Sequence, residues 1–190
     1  MSRELPIGLS NRHCHLTQEH IEILFGEGHQ LTHLKDLSQP GQYAAQEVID
    51  VKGPKGTISE IRILGPARPE SQIEILVSDS YKLGVPVEIR MSGDLDGTPG
   101  AELIGPKGSV VIEQGVIVAS RHLHISDVEA IEFGLKDKDV ISVEVPGVRS
   151  LIFNNVIVRV SKDYALDLHV DIEEGNAAGL KNGQKVRIVE

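Results

Sequence analysis

Apolar and polar residues alternate along short stretches of this chain, and the apolar positions are dominated by Val, Ile and Leu. Alternation with a period of two marks half-buried strands. It predicts strands over 7–9, 47–51, 57–64, 72–77, 87–91, 101–104, 110–118, 140–145, 166–171 and 184–189, with a pair of short strands within 150–160. Within 57–64 the pattern slips by one residue at Glu60 and Ile61, which a β-bulge absorbs. Helical spacing is confined to 18–25, 79–83, 127–133 and 173–178, and Gly26, Gly84 and Gly134 stand where the first three end. Two Gly-Pro-Lys-Gly strings, at 53–56 and 105–108, read as hairpin turns, with Lys55 and Lys107 as ordinary turn residues. Crossover helices are too few and too short for a parallel α/β sheet. The expected fold is therefore mainly β with short helices, arranged as two β-barrel subdomains related by internal repeat.

The repeat is visible in the chemistry as well. Ser10-Asn11-Arg12-His13-Cys14-His15-Leu16-Thr17 returns as Ser120-Arg121-His122-Leu123-His124-Ile125-Ser126. In an extended segment the two His of each pair share one face, while Cys14 and Leu123 take the other. Ser126 with Glu129 has the form of a capping box, and Thr17 can cap a helix alone because position 20 is His20. Each pair thus ends a strand at the point where a helix starts. A third copy lies 45 residues after His124, at His169, where the same offset carries Gly134-Leu135-Lys136 onto Gly179-Leu180-Lys181. Asp171 and Glu174 repeat the cap. Repetition of such junctions points to ligands that converge in the fold.

Composition narrows the partners. The chain has 190 residues, ample for one large or two small domains, and a formal net charge of -9, which excludes a general binder of nucleic acid or anionic membrane. Aromatics are 3 % with no Trp, so aliphatic side chains must carry the core. One Cys forms no intramolecular disulfide, no run approaches the roughly 20 apolar residues of a membrane span, and no leader is expected before the first strand. The expected location is the cytoplasm.

Five His at repeated junctions point to metal binding by imidazole, which suits zinc, nickel, copper or iron. Glu74 interrupts the apolar run 73–77 and is the candidate carboxylate to complete a set, its alternative being a solvent-facing Glu on an edge strand. Arg68, between Pro66 and Pro69, offers a guanidinium fork for phosphate or carboxylate, its alternative being an exposed turn residue. His20, His29 and His33 have no counterparts in the repeat and read as surface or helix residues. Cys14 reads as a small core residue.

The ordered strings Ser-Asn-Arg-His-x-His-Leu (10–16), Arg-Ile-Leu-Gly-Pro-x-Arg (62–68), Gln-x-Glu-Ile (72–75), Ser-Arg-His-x-His (120–124) and Leu-x-x-His-x-Asp with a following Asn-Ala (166–177) resemble the PduL-type phosphate propanoyltransferases. The resemblance runs from Ile7 to Val189. It implies reversible transfer of a short acyl group, propanoyl or acetyl, between coenzyme A and inorganic phosphate, in two β-barrel subdomains around a two-zinc site. By matching positions it implies His13, His15 and Glu74 on one zinc and His122, His124 and His169 on the other, with Arg68 binding phosphate as the catalytic cation. It implies coenzyme A contacts at Gly8, Leu9, Ser10, Lys35, Lys55, Arg62, Leu64 and Asn176. The implied subdomains are 12–119 and 1–11 plus 120–190, in a homodimer. Cys14 departs from the small aliphatic usual in the family. The chain also begins too near its first strand to carry the N-terminal extension of microcompartment members, so a free cytoplasmic enzyme is expected. A metal-dependent hydrolase and a non-catalytic metal-binding barrel are the alternatives. The usual (β/α)₈ hydrolase barrel needs about 250 residues, and a binding barrel needs no Arg68.

Overall fold

The computed structural model describes residues 4–189. In chain order the elements are β1 (Glu4–Ser10), β2 (His13–His15), α1 (Gln18–Phe25), β3 (His33–Asp36), β4 (Tyr43–Lys52), β5 (Thr57–Gly65) and β6 (Gln72–Glu74). There follow α2 (Val77–Leu83), β7 (Ile89–Arg90), β8 (Ala101–Ile104), β9 (Ser109–Ile112), β10 (Val116–Ala119) and β11 (His122–Ile125). The chain closes with α3 (Asp127–Phe133), β12 (Val140–Val145), β13 (Leu151–Val160), β14 (Asp167–Asp171), α4 (Ile172–Ala178) and β15 (Lys185–Ile188). No helix among the described residues is long and apolar enough to cross a membrane.

The chain divides into two compact units. Among the described residues, one holds 4–11, Ser38–Pro40 and 120–189, and the other holds Arg12–Leu37 and Gly41–Ala119. Residues 1–3 and 190, which the expected boundaries include, lie outside the described residues. The first unit is a closed six-stranded barrel in the order β1-β14-β11-β13-β12-β15. The second is a nine-stranded sheet, β7-β10-β6-β2-β5-β4-β8-β9 with β3 alongside β4. It stays open, because β7 and β9 each pair on one side only. The mainly β, two-barrel fold therefore holds, with one barrel closed and the other open.

Each unit has its own aliphatic core. Leu5, Ile7, Leu123, Ile125, Val158 and Leu168 fill the closed barrel. Cys14, Leu16, Ile21, Ile61, Ile63 and Ile73 centre the open one. Cys14 is fully buried, and burial drives its thiol far above the usual range, so it is a core residue. The bulge expected at Glu60 is present. Glu60 has φ 60° and the β4–β5 register shifts between Ile49 and Val51.

Several boundaries differ from the alternation. The run 72–77 is strand only to Glu74, because Leu76 is the N-cap of α2 and Val77 its first residue. The run 110–118 splits at Gly115, whose φ of 122° suits glycine and breaks the strand. Conversely, 151–160 is one ten-residue strand and not two. Asn155 at φ 58° lies where the β12–β13 register shifts and does not end the strand.

The two Gly-Pro-Lys-Gly turns do more than reverse a hairpin. Lys55 N–H donates to the Leu83 carbonyl at 2.9 Å and Lys107 N–H to the Leu24 carbonyl at 3.0 Å, so each turn satisfies the free C-terminal end of a helix. The fit depends on glycine. A Cβ at Gly53 would stand 2.4 Å from the Leu83 oxygen, and one at Gly105 would stand 2.5 Å from the Leu24 oxygen.

Candidate functional site

Both units present ligand-type side chains on the same frame. In the open unit β2 pairs antiparallel with β6, setting His13 opposite Glu74 and His15 opposite Gln72. In the closed unit β11 pairs antiparallel with β14, setting His122 opposite His169 and His124 opposite Asp167. Parallel strands flank each pair, β5 and β10 in one unit and β13 and β1 in the other. A short helix follows each of the four central strands. The N-caps Thr17, Leu76, Ser126 and Asp171 all stand two residues after a ligand-type residue. There are thus four copies of the junction among the described residues, where the sequence pattern shows three. The copy at 72–84 escapes notice because its N-cap is Leu76, which has no side-chain oxygen. Asp79 supplies its half of the capping box alone, accepting from Leu76 N–H at 3.0 Å.

The Arg that precedes each His pair has a structural explanation. Arg12 forms a two-point bridge to Asp79, at 2.8 and 2.9 Å. Arg121 reaches Glu174 and stacks over the Phe153 ring at 5.1 Å. Asp79 and Glu174 hold the same position in their helices, the third residue. Each bridge therefore ties the His strand to the helix behind its partner strand. Burial pushes the Glu174 carboxyl up, opposed by the Asp171 backbone N–H and by Arg121.

The expected ligands fall into two groups, His13 with His15 and Glu74, and His122 with His124 and His169. Within each, the candidate ligand atoms lie within 4.8 Å of one another. All but His169 are less than 10 % exposed. The open unit sets His13 Nε2 3.4 Å from Glu74 Oε2. In the closed unit the rings of His122, His124 and His169 lie with centroids 4.7 to 5.2 Å apart. His122 Nδ1–H donates to the Ser120 carbonyl at 2.8 Å, which leaves Nε2 as the basic nitrogen.

The donor set fits a divalent cation. His15 Nδ1 is buried with no hydrogen-bond partner among the described residues, an arrangement that a bound ion satisfies. Burial, His13 and Arg68 together lower the His15 pKa from 6.5 to about 3, so its imidazole stays neutral, the form that binds a metal. Imidazole with carboxylate is the donor chemistry of zinc and its neighbours.

Arg68 is half-buried in the loop after β5. Its N–H donates to the Leu16 carbonyl at 2.9 Å, and its Nη1 reaches Ser92 Oγ at 3.3 Å. Gln72 Nε2 donates to the same Ser92 at 2.9 Å and to Glu74 Oε1 at 2.6 Å. Gln72 and Ser92 thus connect Arg68 to a candidate ligand, a role that the sequence motifs alone do not reveal for either. The signal for Gln72 was its position two residues before Glu74, on the same strand face.

The other expected contacts are placed as follows. In the closed unit Gly8 lies against His169, Leu9 N–H donates to Asn182 Oδ1 at 2.6 Å, Ser10 ends β1, and Asn176 is exposed on α4. In the open unit Lys35 is exposed on β3 and the Lys55 stem covers Gly84. Arg62 donates to the Ala45 and Gln46 carbonyls, and the Leu64 carbonyl accepts from His15. His20, without a repeat counterpart, contacts Ser71 Oγ at 2.7 Å beside the start of α1, and His29 and His33 pair with Glu47 and Asp36.

Comparison with known proteins gives the family. The family model described as phosphate propanoyltransferase matches residues 6–181. A phosphate propanoyltransferase of Thermotoga maritima is 53 % identical over 185 residues, covering 97 % of this chain and 88 % of that protein. Proteins of the same name from Rhodobacter capsulatus and Salmonella typhimurium are 48 % and 46 % identical, over 97 % and 95 % of this chain and 86 % of each relative. With the match running through all four strand-to-helix junctions, the chain belongs to the phosphate propanoyltransferase family.

Proposed function

We propose that this protein transfers a short acyl group, propanoyl or acetyl, between coenzyme A and inorganic phosphate, with one zinc ion held by each ligand group. The observation that carries the reading is the linkage of His15, Glu74 and Arg68 in one unit, where cation ligands stand beside a fork suited to phosphate. Family membership supports the reaction class.

In this reading Arg68 binds two phosphate oxygens and turns a third toward the thioester carbonyl. That oxygen attacks the carbonyl carbon, the C–S bond breaks, and sulfur leaves with the electron pair. The proton of hydrogen phosphate passes to the thiolate, giving acyl phosphate and free coenzyme A. A bound divalent cation would supply charge neutralisation for phosphate and polarise an oxygen of the reacting groups. Gln72 and Ser92 keep Glu74 and Arg68 in fixed orientations. Cys14 is buried in the core and serves as no acyl-enzyme nucleophile, and in this reading phosphate itself attacks. The eight coenzyme A contacts that the resemblance implies, Gly8, Leu9, Ser10, Asn176, Lys35, Lys55, Arg62 and Leu64, belong to the same proposal.

Thiol release from propanoyl-CoA, measured with and without phosphate, tests the reading. Release should require phosphate, and Arg68→Ala should lower it about 100-fold or more, the scale seen on removing an electrostatic contact to a transition state. Release without phosphate would make the protein a hydrolase. No release from zinc-loaded protein would leave a binding module.

A further inference from the structure

The shared frame has a fourth corner in each unit. Residues directly opposite on an antiparallel pair share a face, so Gln72 joins His13, His15 and Glu74, and Asp167 joins His122, His124 and His169. In both units the fourth side chain touches the third ligand. Gln72 Nε2 donates to Glu74 at 2.6 Å, and Asp167 Oδ2 lies 2.9 Å from His169 Nε2. The difference between them is charge. The open unit has an anionic ligand, Glu74, and a neutral corner; the closed unit has three imidazoles and an anionic corner.

Asp167 is buried, at 7 % exposure, and among the described residues the only side chain it pairs with is His169. A carboxylate held out of water calls for positive charge beside it, and a cation held by the three imidazoles would supply it. Space for the pair comes from Gly8, where a Cβ would stand 2.9 Å from His169 Cδ2 and 3.0 Å from Asp167 Oδ2.

We propose that Asp167 is the carboxylate of the closed unit's cation site: it orients the His169 ring and supplies the negative charge that Glu74 supplies in the open unit. The two sites then offer a divalent ion the same formal charge from different residue sets. Asp167 is a positioning residue here, acting through His169, and the inference rests on the metal reading above.

The test compares full-length wild type, Asp167→Asn and His169→Ala, stripped of metal and titrated with zinc against a chromophoric chelator, and with cobalt(II) for its visible spectrum. Wild type should take up two ions per chain. Asp167→Asn should keep one at wild-type affinity and bind the other about 10- to 100-fold more weakly, with a changed cobalt spectrum. The same variant, free of metal, should melt no lower than wild type, since it removes a buried charge. Loss of affinity without loss of metal-free stability separates this role from a structural one. Second-ion affinity within twofold of wild type in Asp167→Asn, with that ion lost in His169→Ala, would overturn the assignment and leave the metal reading intact. A lower metal-free melting temperature with both ions weakened would make Asp167 structural. Fewer than two ions bound by wild type would overturn the metal reading and the assignment together.

Discussion

At the scale of single residues, His15 shows how burial prepares a candidate ligand. Its folded-state pKa of about 3 lies below the 6.5 of an exposed imidazole, so the unfolded chain takes up the proton first. The metal-free protein should therefore hold its full stability above about pH 6.5 and lose it as pH falls toward 3. Urea unfolding at pH 7 and pH 5 checks this. His15→Gln should show a smaller drop between the two, by on the order of 1–2 kcal/mol. The Arg121 bridge can be measured by the same method. Its partner Glu174 is partly buried and also caps α4 by accepting from Asp171 N–H, so Arg121→Ala should destabilise by about 1–3 kcal/mol. Arg12→Ala should act comparably through Asp79, which also serves two roles.

Elements are positioned by their ends more than by their length. The four helices are seven or eight residues long, too short to stand alone, and each is held by a cap at one end and by packing along its face. Ser126→Ala removes the oxygen that accepts from Glu129 N–H at 3.2 Å and should cost about 1 kcal/mol in a thermal melt. Gly53→Ala places a Cβ against the last carbonyl of α2, at Leu83, and Gly105→Ala places one against the Leu24 carbonyl in the last turn of α1. Each should destabilise by about 1–3 kcal/mol, with faster amide exchange in the helix it touches. Two of the helices were legible to the residue, because Gln18–Phe25 and Asp127–Phe133 are bounded by a hydroxyl cap and a glycine. Helix α2 was read two residues short and its junction was not recognised as a copy, since Leu76 and Val77 look like strand when only alternation is considered.

For the whole molecule the repeated frame predicts a shared dependence on metal. Exhaustive chelation should abolish phosphate-dependent thiol release and lower the melting temperature, and added zinc should restore both, because an ion that binds only the folded state stabilises it by mass action. The sequence alone determined the mainly β class, the paired His on one strand face, the caps that follow them and the resemblance carried by five ordered motifs. Those features depend on spacing between near neighbours, and near-neighbour geometry is set by strand and helix periods. Tertiary structure alone decided which strands pair and in what register. That register sets Glu74 opposite His13, Asp167 opposite His124, and the arginine before each His pair against a carboxylate on a later helix. Strand pairing depends on contacts between residues remote in the chain, and a shift of one residue would turn every one of these side chains to the other face.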